Sequence, residues 1–441
     1  MGKSALRKSL ACILAAATIG TGYVMPIMPS VFTSGIVASA ATTVLIKGDY
    51  KYCTYSTGVK FLGYADETET ASGKTVTHYP KTSTMEIPGS IDGKIVLAIG
   101  ILDNVDDYME KCTSIVIPST VKVIDNDVFD GWENVKKITF NGNSLTSIGS
   151  NAFYGCKALS KLSITTVADS LSIGASAFEG CDSLSEVSLS SGGALKLAED
   201  AFLDCSGISK LTLTSKSSMT IGSECFSGCS NISKVILTSK SSMSVGSECF
   251  SGCSNISTFT ANNTGKLTIG DSAFESCEKL KTVKTGKGGV YIKSSAFSEL
   301  DNLTTVDLCV DAVNDSYIGD SAFYKSGVKT VIIPKNVIYI GSEAFSECSE
   351  LAAVNLEDLT KLTVIKSEAF QGTKLSKIVI PSAVTSIESE AFANIEVHDD
   401  VYEDELKFST LTFKNANNTI KISDSAFEGS YIETVTIPEN A

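Results

Sequence analysis

The stretch Ile148-Gly149-Ser150-Asn151-Ala152-Phe153 returns as Ile340-Gly341-Ser342-Glu343-Ala344-Phe345, and the chain writes this phrase thirteen times. It consists of an aliphatic residue, usually Gly, two small or polar residues, then in most copies Ala, and Phe. The anchoring aromatics run from Phe129, Phe153 and Phe178 to Phe370, Phe392 and Phe427, spaced 22 to 26 residues apart except for a final step of 35. A fixed period of this length is the mark of a solenoid. One coil is too short to bury its own apolar side, so its Phe, Ile and Leu must pack on those of the next, and the core becomes continuous. The expectation is a repeat solenoid of about 13 coils built mostly from short β-strands.

Within a coil, Leu159-Ser160-Lys161-Leu162-Ser163-Ile164 and Leu171-Ser172-Ile173-Gly174 alternate apolar and small polar residues, which predicts two short strands with a turn between them. The segment Ala152-Phe153-Tyr154-Gly155-Cys156 predicts one turn of helix or 3₁₀ and then a reversal at Gly. Pro118, Pro334, Pro381 and Pro438 stand where strands should end, since a residue without N–H fits where a ladder stops. Residues 41–98 carry Tyr50, Tyr52, Tyr55, Phe61, Tyr64 and Tyr79 but no such phrase. They read as a small β-rich N-terminal cap on a solenoid spanning 99–441, which an exposed solenoid end requires.

Two coils are near copies, 214–237 and 238–261 agreeing at 18 of 24 positions. Interchangeable modules favour an array lengthened by duplication over a unique active site. One coil departs from the pattern, with an insertion at about 395–408 that holds five acids among the seven residues Asp399–Glu405. It reads as a solvated coil-edge loop, its spacing matching no EF-hand.

Lys3, Arg7 and Lys8 precede an apolar run from Leu10 to Ile19, and Ala38-Ser39-Ala40 offers a small-residue cleavage site, so residues 1–40 read as a secretory signal. The run is shorter than the ~20 residues a span requires, and no membrane span is expected in the mature chain. Removing this segment takes away three cations and no anion, moving the formal charge from −14 to −17. Such a balance disfavours nucleic acid, whose recognition rests on clustered Lys and Arg.

The thirteen cysteines of an exported chain could be a disulfide framework. Seven of them, Cys156, Cys181, Cys205, Cys229, Cys253, Cys277 and Cys348, fall three residues after their Phe, where other coils place Leu300, Ser326, Thr373 and Ser430. A fixed slot favours buried thiols acting as small hydrophobes. Neighbouring coils ~4.8 Å apart lie within disulfide Cα reach, which makes Cys225 with Cys249 the pair to check, and the absence of CxxC knuckles and neighbouring His argues against zinc.

The iterated phrase L-x-x-V-x-I-P…V-x-x-I-G-x-x-A-F-x-x-C is fullest at Val331-Ile332-Ile333-Pro334 through Cys348 and at Ile378-Val379-Ile380-Pro381 through Phe392. It resembles the BspA-like leucine-rich repeat family over roughly residues 85–441. The resemblance implies a leucine-rich-repeat solenoid and an adhesin-like or ligand-binding surface protein of a microbe, and it supplies no catalytic residue.

No enzyme activity and no cofactor or metal is expected. The chain has His78 and His398 as its two histidines, neither in a motif, and no GxSxG, HExxH or phosphate loop. What remains is surface. If the Leu-x-x-Leu-x-Ile segment is a strand, its outward positions form two stripes. One holds Lys161, Glu186, Lys210, Lys234, Thr258 and Thr282, and the other Ser163, Ser188, Thr212, Ile236, Thr260 and Lys284. Thr suits exposed strand positions in any case, and this Ser/Thr/Lys strip lacks the Tyr and Trp that anchor many interfaces. The functional expectation is a secreted or surface-displayed, non-catalytic binding protein that recognises an extracellular protein or glycan along the solenoid face. The alternative is a structural spacer of the cell envelope, or the N-terminal part of a larger anchored protein.

Overall fold

A computed structural model of the protein describes residues 44–47, 49–64, 82–102, 106–395, 397–398, 406–407, 409–414 and 419–438. The signal segment 1–40, His78 and residues 399–405 of the acidic insertion lie outside the described residues. The chain divides into two compact units, residues 1–41 with 55–57 and residues 42–54 with 58–441. Of the first, residues 55–57 are described, as a bend. The second is the solenoid.

Each coil begins with a strand whose side chains alternate in burial. In Lys161–Thr166 the residues Leu162, Ile164 and Thr166 are buried and Lys161, Ser163 and Thr165 exposed. This period of two is what a strand with one wet face requires. The strand pairs in parallel register with Glu186–Ser191, and that with Lys210–Ser215. The pairing continues to Ala353–Val354 as a nine-stranded sheet, the front sheet. After a turn the chain forms the coil's second strand, such as Ser170–Ile173, which pairs with Ala194–Leu197 of the next coil. These second strands build the back sheet, fifteen strands from Leu45–Lys47 to Val337–Ile340. Its first strands, Leu45–Lys47, Tyr50–Thr54 and Val59–Tyr64, are antiparallel. Parallel pairing starts where Val59–Tyr64 meets Lys94–Ile99. Shorter three-stranded sheets extend both faces through residues 364–436. Pro118 and Pro381 directly follow the strands Ser114–Ile117 and Lys377–Ile380.

The third side of each coil is the Ala-Phe segment. It is a run of i→i+3 hydrogen-bonded turns: Tyr154 N–H donates to Asn151 O at 3.1 Å and Cys156 N–H to Phe153 O at 3.3 Å. The same segment also bonds laterally, Phe153 N–H to Ala177 O at 2.8 Å and Phe178 N–H to Ala201 O at 2.9 Å. Helix is confined, among the described residues, to Asp106–Met109 and a 3₁₀ turn at Leu356–Asp358. The Gly of the repeated phrase marks a place where successive coils approach too closely for a side chain. A Cβ on Gly246 would stand 2.4 Å from the carbonyl carbon of Gly222, nearer than real side chains come.

Two columns fill the interior. The Phe side chains from Phe129 to Phe392 are fully buried and stack ring on ring, with centroids 5.0 Å apart for Phe129 and Phe153 and 5.3 Å for Phe370 and Phe392. Beside them runs the cysteine column. All twelve cysteines from Cys53 onward are free thiols, including Cys225 and Cys249. Each column thiol donates to the carbonyl of the Phe one coil back. Cys205 reaches Phe178 O at 3.0 Å, Cys253 reaches Phe226 O at 3.1 Å and Cys348 reaches Phe323 O at 2.9 Å. The slot thus suits a small residue with one weak donor, although Trp132, Leu300 and Ile395 fill it in three coils with larger apolar side chains. Ser430 fills it with a hydroxyl bonded in the same way to Phe392 O, whereas the Thr373 hydroxyl bonds Phe370 O of its own coil at 2.9 Å.

The ends of the front strands bury a polar column of Thr166, Ser191, Ser215 and Ser239. Each hydroxyl is satisfied by a turn carbonyl, as Ser191 Oγ to Ala194 O at 2.8 Å and Ser215 Oγ to Gly193 O at 2.7 Å. These bonds fix the turn that leads from front to back strand.

Candidate binding faces

The front sheet places the sequence-derived stripes as neighbours. Lys161, Glu186 and Lys210 are mutual partners across three strands, and Ser163, Ser188 and Thr212 form the row beside them. Lys234 pairs with Thr258, and Ile236 with Thr260 and then Lys284. Thr282 follows Thr258 in register. All lie exposed or half-buried at the surface.

Charge pairing knits part of this face. Glu186 takes Lys161 on one oxygen at 2.8 Å and Lys210 on the other at 2.7 Å. Those two ammonium groups hold its carboxyl down at about 2, so it is ionised throughout the physiological range. Lys234 and Lys284 carry the stripe's positive charge onward, beside a row of hydroxyls. The face can hydrogen-bond and pair with charge, and it has no aromatic anchor.

The back sheet differs, and sequence reasoning missed it. Its outward row reads Ser172, Lys196, Thr220, Ser244 and Thr268 and then changes to Tyr291, Tyr317 and Tyr339. The three rings stack along the sheet. Tyr291 and Tyr317 have centroids 5.9 Å apart at 14°, and Tyr317 and Tyr339 lie 4.6 Å apart at 4°. Lys266 sets its ammonium 3.2 Å over the outer face of Tyr291, a cation–π contact. At the other end the Tyr339 hydroxyl donates to Asp320 Oδ1 at 3.0 Å. Partial burial, followed by Asp320, pushes Tyr339 up to about 12 and raises Tyr317 as well, so both stay neutral donors. A sequence signal existed: Val290-Tyr291-Ile292, Ser316-Tyr317-Ile318 and Ile338-Tyr339-Ile340 put Tyr at one slot of three consecutive coils.

The turn side carries a third row. The residue two before the anchoring Phe adopts left-handed backbone in every coil, with φ of 56° at Asp200, 53° at Glu224 and 53° at Glu248. Burial first, then the charges of Asp200 and Glu248, raises the pKa of Glu224. Among the described residues no group of three or more His, Cys, Asp or Glu is placed to hold a metal ion. No helix among them is long and apolar enough to cross a membrane.

The chain matches the family described as BspA type leucine rich repeat region (6 copies), through residues 103–218, 195–315, 267–398 and 316–441. Three similar solved structures are bacterial proteins. A leucine-rich repeat protein from Bacteroides ovatus is 20% identical, covering 90% of this chain and 95% of its own, with a TM-score of 0.40. A leucine rich cell surface protein from Faecalibacterium prausnitzii is 20% identical, with 90% and 96% covered and a TM-score of 0.30. The pneumococcal vaccine antigen PcpA is 16% identical, with 91% and 100% covered and a TM-score of 0.37. No curated protein matches the chain.

Proposed function

Because the chain belongs to the BspA-type leucine-rich repeat family, we propose that it is a secreted or surface-displayed binding protein of adhesin type. It holds an extracellular protein or glycan along its solenoid face and does no covalent chemistry. The observation that carries this reading is the front sheet, where an in-register, exposed Lys/Ser/Thr surface repeats over many coils. An extended surface of this kind suits recognition by many weak contacts rather than by one pocket.

The test is an array of extracellular-matrix proteins, host surface glycans and microbial wall polymers, probed with residues 41–441 and with the Lys161→Glu/Lys210→Glu/Lys234→Glu variant. Saturable binding by the native chain and its loss in a folded variant is the expected result. Binding that persists undiminished in the variant would remove the stripe from the reading, and silence across the array would remove the adhesin role.

The duplicated coils 214–261 favour a second reading, a spacer whose coil number sets reach. Deleting residues 214–237 should then shorten the solenoid by ~4.8 Å, the spacing of laterally paired strands, and leave its solution behaviour otherwise unchanged.

A further inference from the structure

The geometry points to the back-sheet ladder Tyr291–Tyr317–Tyr339 as a binding site for a linear, neutral polysaccharide lying along the solenoid axis. This deepens the binding reading above and rests on it.

Three features select that occupant. The first is periodicity: the rings repeat at 5.9 and 4.6 Å. An extended glycan advances by a comparable length per sugar, so successive residues can meet successive hydroxyls in one register. A folded protein surface has no such repeat. The second is what the ladder presents. Because the rings cover one another's faces, each offers outward an apolar edge and a phenol hydroxyl, and among the described residues no side chain accepts from the hydroxyls of Tyr291 and Tyr317. Alternating apolar edges and donors match a sugar chain's alternating C–H and O–H surfaces.

The third is charge. The ionic groups around the ladder are paired within the protein. Lys293 meets Asp271 at 3.6 Å, Lys361 meets Asp315 at 2.6 Å, Asp320 accepts from Tyr339, and Lys266 rests on Tyr291. A charged polymer would have to break these contacts, and a polyanion would also meet a chain of net charge −14. A neutral polyhydroxyl chain disturbs none of them.

Tyr rather than Thr at these positions is not a demand of the fold. Thr220 and Thr268 occupy the same row in the same sheet. Tyr317→Thr and Tyr291→Thr/Tyr317→Thr should therefore fold normally, and Tyr317→Phe keeps the ring while deleting its hydroxyl.

The experiment is affinity electrophoresis and calorimetry of residues 41–441 against hydroxyethyl cellulose, xyloglucan, laminarin and mannan. Alginate and heparin serve as charged counterparts, and the matrix-protein array runs in parallel. The expected result is binding to at least one neutral polymer and to neither charged one. Tyr317→Thr should weaken it about tenfold, as loss of a buried interface aromatic does, and Tyr317→Phe by less. Neutral-polymer binding unchanged in the Tyr variants overturns the proposal. So does a protein ligand, rather than a glycan, whose binding the Tyr variants abolish. If array binding is lost in the Lys161/Lys210/Lys234 variant while no neutral polymer binds, the ladder proposal fails and the binding reading stands. If nothing binds, both fail.

Discussion

The duplicated coils 214–261 and the tyrosine coils 290–340 share one interior and differ outside. Phe226 and Phe250 occupy the same stacked column as Phe297, Phe323 and Phe345, all fully buried. In the outward back row, the first pair of coils shows Thr220 and Ser244, and the later three show Tyr291, Tyr317 and Tyr339. Inside, every coil must match its neighbours, so a side chain there is answerable to two others. Outside, a residue can change without consequence for packing, and a change sustained over three coils is where specificity can be written. The interiors do differ in one respect. The duplicated coils bury Cys225, Cys229, Cys249 and Cys253, where the tyrosine coils have Ala296, Leu300, Ala322, Ser326, Ala344 and Cys348.

That difference predicts the largest effect. Burial pushes Cys253 up to about 12 and Cys348 up to about 11, from an ordinary value of 9.0. A thiol raised in the native state contributes its full stability below pH 9, where both states are protonated. It loses that contribution as pH rises toward the native value, because the unfolded chain releases the proton first. At ~1.4 kcal/mol per unit, these two thiols alone are worth roughly 3 to 4 kcal/mol each at strongly alkaline pH. The chain should therefore lose stability as pH rises above about 9, most of all at the duplicated coils, which bury Cys225, Cys229, Cys249 and Cys253. Circular dichroism against pH, with hydrogen exchange resolved by coil, checks this. Cys229→Ser/Cys253→Ser, which keeps the donor to the Phe carbonyl as Ser430 does, should move the midpoint upward. Iodoacetamide labelling of these thiols in the native protein at pH 8 would contradict the buried column itself.

This interior was largely legible in the sequence. The phrase around Phe153 fixed the period, and the Leu162/Ile164 alternation fixed which side chains face inward, because a strand and a stacked coil leave few alternatives. The thiol column could be read from position, since a slot three residues after Phe filled by Cys in seven coils and by Leu, Ser or Thr in others is a packing slot. Its bond to the preceding Phe carbonyl could not, because that partner lies one coil away. The front stripes followed from the same alternation. Tyr291, Tyr317 and Tyr339 stand at one slot of three consecutive coils, a repeat as regular as any other, but they lie on the coil's second strand rather than on the strand that carries the Lys/Ser/Thr stripes. What makes them a platform is the lateral register of the back sheet, which only the pairing shows.

A smaller effect separates inside from outside directly. Phe250→Ala opens a cavity between two stacked rings and should cost about 3–5 kcal/mol in urea unfolding. Tyr317→Ala, half-exposed and stacked on one row, should cost about 1 kcal/mol, the scale of an aromatic cross-strand pair. Comparable losses would mean that the ladder is structural, and the case for reserving Tyr317 to ligand would fail with it.

The smallest effect concerns the row that the two regions share. Glu248 in a duplicated coil, and Ser295, Ser321 and Glu343 in the tyrosine coils, all sit at left-handed φ between 52° and 56°. The turn imposes that conformation whatever the residue, and a non-glycine there is strained by roughly 1 kcal/mol. Glu248→Gly should therefore stabilise the protein by up to about 0.5 kcal/mol, once the greater freedom of the unfolded Gly is subtracted. Charge adds a separable part. Glu224 has its pKa raised by burial, then by Asp200, then by Glu248. A carboxyl raised in this way is least costly to the fold below its unfolded value near 4.5 and more costly as pH rises through the native value. Removing the Glu248 charge should accordingly help more at pH 7 than at pH 4. Glu248→Gln isolates that part, since it keeps the strained backbone and deletes the charge. Melting curves of both variants at the two pH values divide the gain between them. If Glu248→Gly gives no more than Glu248→Gln at pH 4, the left-handed turn carries no strain, and residue choice at this slot is free in both regions.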